Sequence, residues 1–200
     1  MGRPALAGLI GLLVAATPVS AAAEVLTASE NALVTSHRAE LPATPPVVWA
    51  TLVEPRLWWA DGYTWSGHSE NLSLDPRAGG CFCETLPATA RAPAGSVEHL
   101  RVIHVNPARL LRLSGALATL QQEGLAGTLS IALEPRANGR TEMVWTYTVS
   151  GYRAGAGGLG VLADPVDAVF AQQVAELSKA LSGPNPSGAG VPVDSAVESH

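Results

Sequence analysis

Charged residues are scarce in this chain of 200 residues, and neither sign forms a long run. Asp, Glu, Lys and Arg make up 14% of the sequence, and the formal net charge is −5. A nucleic-acid-binding protein usually carries a clustered basic face, and an anionic membrane surface repels an acidic protein. The sequence therefore predicts neither a nucleic-acid partner nor recruitment to a membrane surface by charge.

The sequence also lacks the motifs of several common catalytic sites. It contains no nucleophile elbow, no H-E-x-x-H pair, no phosphate-binding loop and no internal repeat. Hydrophobic residues, by contrast, make up 47% of the chain. That share, in a chain of this length, is enough for one domain with a sizeable core. We therefore expect one globular domain, with no cofactor.

The N-terminal segment has the layout of a secretion signal. Arg3 is the only charged residue before Glu24, an apolar run covers Ala5–Ala16, and small residues occupy positions 20–23. A membrane anchor is the alternative, but the run is shorter than the roughly 18 residues that span a bilayer. We expect residues 1–23 to be cleaved, and the mature protein to be periplasmic or secreted, without a membrane span.

Periodicity in the mature chain predicts antiparallel strands followed by a long helix. Val25–Leu41 is predicted as a first strand, and prolines at 45, 46 and 55 begin two short helices. Further strands are predicted at 71–74, 81–86, 95–105, 110–113, 129–133 and 143–149.

An amphipathic helix is predicted from Asp164 to Leu181, because apolar residues recur there at three- and four-residue steps. Such a helix covers the apolar face of a sheet. Residues 184–200 are small, polar and turn-forming, and are predicted as a disordered tail. The predicted domain therefore spans 24–183.

Several short motifs follow one another in an order that resembles the START-like superfamily, also called SRPBCC or helix-grip proteins. They are Pro45–Trp49, Pro55–Trp59, Asp75–Gly80, Pro107–Leu110 and the terminal helix. The sequence is most similar to the branch described as polyketide cyclase-like or Hsp90-ATPase-activator-like. The resemblance covers roughly residues 25–181.

The resemblance implies an α+β fold of the helix-grip type. In this fold a curved antiparallel sheet wraps around a long C-terminal helix, with two short helices after the first strand. A cavity between sheet and helix usually holds an apolar small molecule. Carriers, cyclases, hydrolases and co-chaperones share the fold, so the fold alone does not fix the function. Hsp90 activators are cytosolic and carry no secretion signal, so we expect no Hsp90 partner.

We therefore expect an exported protein that binds an apolar or aromatic small molecule in that cavity. The alternative is an enzyme of the cyclase or hydrolase kind, with a strand histidine or a carboxylate as base. Aromatic residues are the candidate ligand contacts, although core packing explains some of them. The candidates are Trp58, Trp59, Tyr63, Trp65, Trp145, Tyr147 and Phe170.

Cys81 and Cys83 are the only cysteines, and they point to the same face of a predicted strand. Three interpretations are open. The cysteines are small buried hydrophobic residues, they form a disulfide in an oxidising compartment, or they bind a metal together with a histidine. A bridge across one residue is geometrically strained, and Glu84, His99 and His104 show no recognisable ligand spacing. We favour two mostly buried thiols that contact the ligand, with no bound metal.

His99 is the single candidate for a catalytic residue. It lies on the predicted strand 95–105, where Glu98 points to the opposite face because neighbouring residues alternate. A histidine in a cavity can act as a general base near neutral pH. A strand histidine that is exposed or hydrogen-bonded for structural reasons is the alternative. The sequence therefore leaves the catalytic question open.

Overall fold

The computed structural model describes residues 21–183, which form an eight-stranded sheet and two α-helices. The strands are β1 Ala21–Ala28, β2 Ala32–Leu41, β3 Leu72–Leu74, β4 Cys81–Leu86, β5 Gly95–Asn106, β6 Leu110–Ser114, β7 Ala126–Arg136 and β8 Arg140–Ser150. The helices are α1 Pro45–Leu52 and α2 Ala163–Ser182. The predicted tail, 184–200, and residues 1–20 of the predicted signal lie outside the described residues.

The sheet is antiparallel throughout and open, with the strand order β1-β2-β8-β7-β6-β5-β4-β3. Helix α1 and a 3-10 turn at Pro55–Leu57 follow β2, and α2 packs against β1 and β2. The predicted α+β helix-grip fold is therefore confirmed. Within residues 21–183, no helix has both the length and the apolar character required to cross a bilayer.

The prediction of one strand over Val25–Leu41 is wrong, because the segment turns back on itself. Strands β1 and β2 pair as a hairpin around residues 29–31, where the Ser29 hydroxyl accepts a hydrogen bond from the amide of Ala32 at 3.1 Å. The carbonyl of Glu30 accepts another from the amide of Leu159 at 2.9 Å. The polar turn is thus fixed by its own serine and by a distant loop.

The hairpin of β7 and β8 forms the centre of the core. Asn138 and Gly139, which predicted this turn, have φ angles of 59° and 70°, as a tight hairpin requires. The predicted inward face of β8 is completely buried. Its members are Met143, Trp145, Tyr147 and Val149.

Helix α2 closes the core from the other side. Phe170, Val174 and Leu177 are buried on one stripe, in agreement with the predicted periodicity. The ring of Phe170 lies with its centroid 5.6 Å from that of Trp145 and 4.9 Å from that of Tyr147. These edge and tilted contacts join the helix to β8.

Candidate functional site

Two neighbouring cavities lie between the sheet and the N-terminal half of α2. Their volumes are about 240 and about 200 Å³, and Leu117, Ala118 and Val169 line both of them. The first cavity is further lined by Trp59, Gly62, Tyr63, Thr64, Trp65, Phe82 and His99. The second is further lined by Thr119, Leu120, Tyr147, Leu162, Pro165, Val166 and Phe170.

Five of the predicted ligand contacts lie on these walls. Trp59, Tyr63 and Trp65 line the first cavity, and Tyr147 and Phe170 line the second. Tyr63 and Trp65 are 41% and 54% exposed, so they form a rim, whereas the other three are buried. The structure thus brings together an aromatic wall from a loop, a strand and a helix.

Trp58 and Trp145 do not line either cavity. Their ring centroids are 6.1 Å apart in an edge contact, and both rings are buried in the core. The core-packing interpretation therefore applies to this pair. The ring centroids of Trp58 and Trp59 are only 5.4 Å apart, but of the two only Trp59 lines the first cavity.

Cys81 and Cys83 form a disulfide, so the prediction of two free, mostly buried thiols is wrong. Their Cα atoms are 5.4 Å apart, closer than the roughly 6.5 Å of a regular strand and within the range that a disulfide spans. Both cysteines are half-buried and alternate with the inward-facing Phe82 and Glu84. The disulfide therefore lies on the outer face of the sheet, away from the cavities.

A β-bulge turns His99 toward the first cavity. In the pairing of β4 with β5, Phe82 lies opposite Leu100 and Cys83 lies opposite Glu98, so His99 is an extra residue with no partner of its own. His99 and Leu100 are both buried although they are neighbours, which a regular strand does not permit. The bulge thus adds one imidazole to a wall whose other buried side chains, Trp59 and Phe82, are aromatic.

Glu84 holds this imidazole in place. Its Oε2 atom lies 2.9 Å from Nε2 of His99, and the side chain is fully buried. The same carboxylate accepts hydrogen bonds from the backbone amides of Trp65, at 3.0 Å, and Ser66. Glu84 therefore links β4, the bulge of β5 and the loop that forms the rim of the cavity.

The electrostatics of the pair favour an ionised Glu84 and a neutral His99. Burial alone would raise the pKa of the Glu84 carboxyl, but hydrogen bonds from Ser66, Trp65 and His99 outweigh burial and hold that pKa below its ordinary value. Burial lowers the pKa of His99 despite the neighbouring carboxylate. A carboxylate only accepts hydrogen bonds, so the network assigns the hydrogen to Nε2 and leaves Nδ1 as an acceptor.

Tyr147 fixes the wall that the two cavities share. Its hydroxyl oxygen accepts a hydrogen bond from the backbone amide of Leu117 at 2.9 Å, and burial raises the pKa of Tyr147 to about 12. The next residue, Ala118, has a φ of 52°, a conformation that costs energy for any residue with a Cβ atom. The strained residue therefore lies on the cavity wall itself.

A second buried histidine lies outside the cavities. Nε2 of His37, on β2, is 3.0 Å from Oδ1 of Asp167 on α2, although the angle is not that of a hydrogen bond. Burial lowers the pKa of His37. Because neither residue lines the cavities, we regard this pair as a contact between helix and sheet.

Sequence reasoning missed Glu84 as the partner of His99. Alternation along β4 puts Glu84 on the same face as Phe82, so the sequence could have predicted that this carboxylate faces the core. The bulge that brings His99 to that face left no signal in the sequence. Within residues 21–183, no group of three His, Cys, Asp or Glu side chains is placed to hold a metal ion.

Comparison with known proteins supports the fold only. No protein-family model matches the chain, and no curated protein matches it significantly. A conserved protein of unknown function from Enterococcus faecalis is similar, with a TM-score of 0.52, 12% identity, and 79% and 76% of the two chains covered. The likeness is one of fold.

Two further solved structures are similar to this chain in fold. A protein of unknown function from Staphylococcus aureus has a TM-score of 0.51 at 11% identity, over 74% of this chain and 93% of that one. An uncharacterized protein from Rhizobium leguminosarum has a TM-score of 0.50 at 20% identity, over 82% of this chain and 98% of that one.

Proposed function

We propose that this protein binds an apolar or aromatic small molecule in the cavities between the sheet and α2. The observation that carries the proposal is the pair of neighbouring cavities, about 240 and about 200 Å³, with aromatic and aliphatic walls. Ligand sites of proteins are typically concave and mostly apolar, with a few polar groups that orient the ligand. His99 supplies such a polar group here.

We also propose membership of the START-like superfamily, in the polyketide cyclase-like or Hsp90-ATPase-activator-like branch. The order of the motifs from Pro45 to the terminal helix supports this assignment, and the helix-grip fold is consistent with it. The proposal does not include an Hsp90 partner, because the N-terminal sequence predicts export.

A ligand is expected to co-purify with the protein from its source organism and to remain bound in native mass spectrometry, where it adds to the mass of the protein. Val169→Trp, on the shared wall of both cavities, is expected to abolish the added mass because the indole ring fills the space. Ala168→Trp is the matched control, because Ala168 is exposed on the same helix. An unliganded wild-type protein, or a Val169→Trp protein that keeps its ligand, would contradict the proposal.

Export to the periplasm or the exterior is the second part of the proposal. We expect N-terminal sequencing of the mature protein to begin near Glu24. Strand β1 begins at Ala21 in the structure, and the pairing of Glu24 with Ser36 lies on the retained side of that cleavage point. Recovery of chains with an intact Met1 from the cytosolic fraction would show that the segment is not a cleaved signal.

An enzyme of the cyclase or hydrolase kind is the second candidate. The observation in its favour is the Glu84–His99 pair, a carboxylate that orients a histidine at a cavity wall. This arrangement is typical of a general base. Binding remains our first proposal, because it requires only the shape and the chemistry of the walls.

A further inference from the structure

Among residues 21–183, His99 is the only buried side chain on the first cavity wall that has a hydrogen-bond acceptor, because the other two buried side chains there are those of Trp59 and Phe82. Of the other side chains there, most are apolar or aromatic, and the hydroxyl of Thr64 already donates a hydrogen bond to the carbonyl of Asp61 at 2.8 Å. The indole N–H of Trp59 is likewise used, because it donates to the carbonyl of Tyr63 at 3.1 Å. The buried part of the wall is therefore apolar except for one polar position, while the hydroxyl groups of Tyr63 and Thr64 belong to its more exposed part.

That polar position is an acceptor and not a donor. The N–H group at Nε2 of His99 donates a hydrogen bond to Glu84, so the lone pair of the neutral ring is on Nδ1. Among residues 21–183, Nδ1 has no protein hydrogen-bond partner, and it is not one of the fully buried unpartnered atoms. Because His99 lines the first cavity, we take this accessible nitrogen as the atom that a ligand contacts.

The ring of His99 is also held rigidly. The centroid of Phe82 lies 5.1 Å from that of His99, and the centroid of Trp59 lies 5.3 Å from that of Phe82. Glu84 fixes the ring at one nitrogen, while these tilted and edge-on aromatic contacts restrict its tilt. A fixed acceptor selects a ligand by the position of its donor, because little entropy is lost when the hydrogen bond forms.

We propose that the cavity selects an aromatic ligand with an acidic hydroxyl group, a phenol or an enol, which donates a hydrogen bond to Nδ1 of His99. The proposal rests on the proposed binding function and names the ligand class of the same site. The apolar walls contact the aromatic ring of the ligand, and Nδ1 of His99, the single buried acceptor, accepts the hydrogen bond from its hydroxyl group. A ligand whose only polar group is an acceptor, such as an ether, leaves Nδ1 buried without a partner, at a cost in affinity.

The test compares 2-naphthol with its methyl ether, 2-methoxynaphthalene, in which a methyl group replaces the hydrogen-bond donor. Isothermal titration calorimetry with the full mature protein is expected to show that 2-naphthol binds about threefold to tenfold more tightly, the range of one net hydrogen bond. In His99→Leu the preference is expected to disappear, while 2-methoxynaphthalene still binds. His104→Leu is the matched control, because His104 is exposed on the same strand, and it is expected to keep the preference.

Nuclear magnetic resonance gives a second readout that needs no substitution. The Nδ1 signal of His99 is expected to shift when 2-naphthol is added and to stay in place with 2-methoxynaphthalene. Equal affinities of the two probes for the wild type, or an unchanged preference in a folded His99→Leu protein, would overturn the inference alone. Binding of neither probe would overturn the cavity function as well.

Discussion

Replacement of both Phe170 and Val174 with aspartate is expected to leave the protein without a folded state. Phe170 is 1% exposed and Val174 is 3% exposed, so neither carboxylate can reach water while α2 is packed. Loss of a buried phenylalanine side chain costs about 3–5 kcal/mol, and each buried unpaired charge adds several kcal/mol. The sum matches or exceeds the whole free energy of unfolding of a typical domain, about 5–15 kcal/mol.

Circular dichroism and the dispersion of amide signals in nuclear magnetic resonance measure this outcome directly. Gln172→Asp together with Ala175→Asp is the matched control, because both residues are exposed on the same helix and introduce the same two charges. We expect the control to fold. A folded and soluble Phe170→Asp/Val174→Asp protein would contradict the packing of α2 on the sheet.

Glu84→Ala is expected to lower the free energy of unfolding by about 3 kcal/mol or more. The substitution leaves three donors without an acceptor, namely the amides of Trp65 and Ser66 and the Nε2 hydrogen of His99. Each unsatisfied buried donor costs about 1–3 kcal/mol. Urea denaturation gives the total loss, and hydrogen exchange at the amides of Trp65 and Ser66 shows whether the rim loop has separated from the sheet.

Glu98→Ala serves as the control for Glu84→Ala. Glu98 lies on the outer face of β5 and pairs with Arg101, with side chains 42% and 54% exposed. Exposed ion pairs contribute about 0–1 kcal/mol, so we expect a small effect and no change in the exchange of the loop amides. Similar losses in the two variants would mean that Glu84 does not anchor the loop.

The parts of the fold that depend on local patterns were predictable. Met143, Trp145 and Tyr147 alternate on one strand, and the apolar residues of α2 recur at helical spacing. Each pattern therefore predicted which side of the element faces the core. The hairpin of β1 and β2 was missed because its turn, Ser29–Asn31, contains neither glycine nor proline. Its stabilising partners, such as Leu159, are far away in sequence.

The candidate site depended more strongly on contacts between elements. Trp59 and Trp58 are adjacent and chemically identical, and only the packing of the loop decides that the first lines a cavity and the second fills the core. The disulfide between Cys81 and Cys83 depends on a local contraction of β4, which the two-residue spacing alone argued against. The packing of this loop and the contraction of β4 are both set by tertiary contacts, which a single sequence does not reveal.

The bulge at His99 has a consequence for how this site could be gained or lost in evolution. A chain without this one residue would pair Leu100 and Glu98 with Phe82 and Cys83 as now, and its side chains would alternate regularly between the two faces. The pairing of β4 with β5 would be continuous, and Glu84 would lose one hydrogen-bond partner. The remaining buried side chains of the first cavity wall, Trp59 and Phe82, are both aromatic. A single codon inserted in or deleted from β5 could therefore switch the cavity between two chemistries, while the topology of the sheet stayed the same.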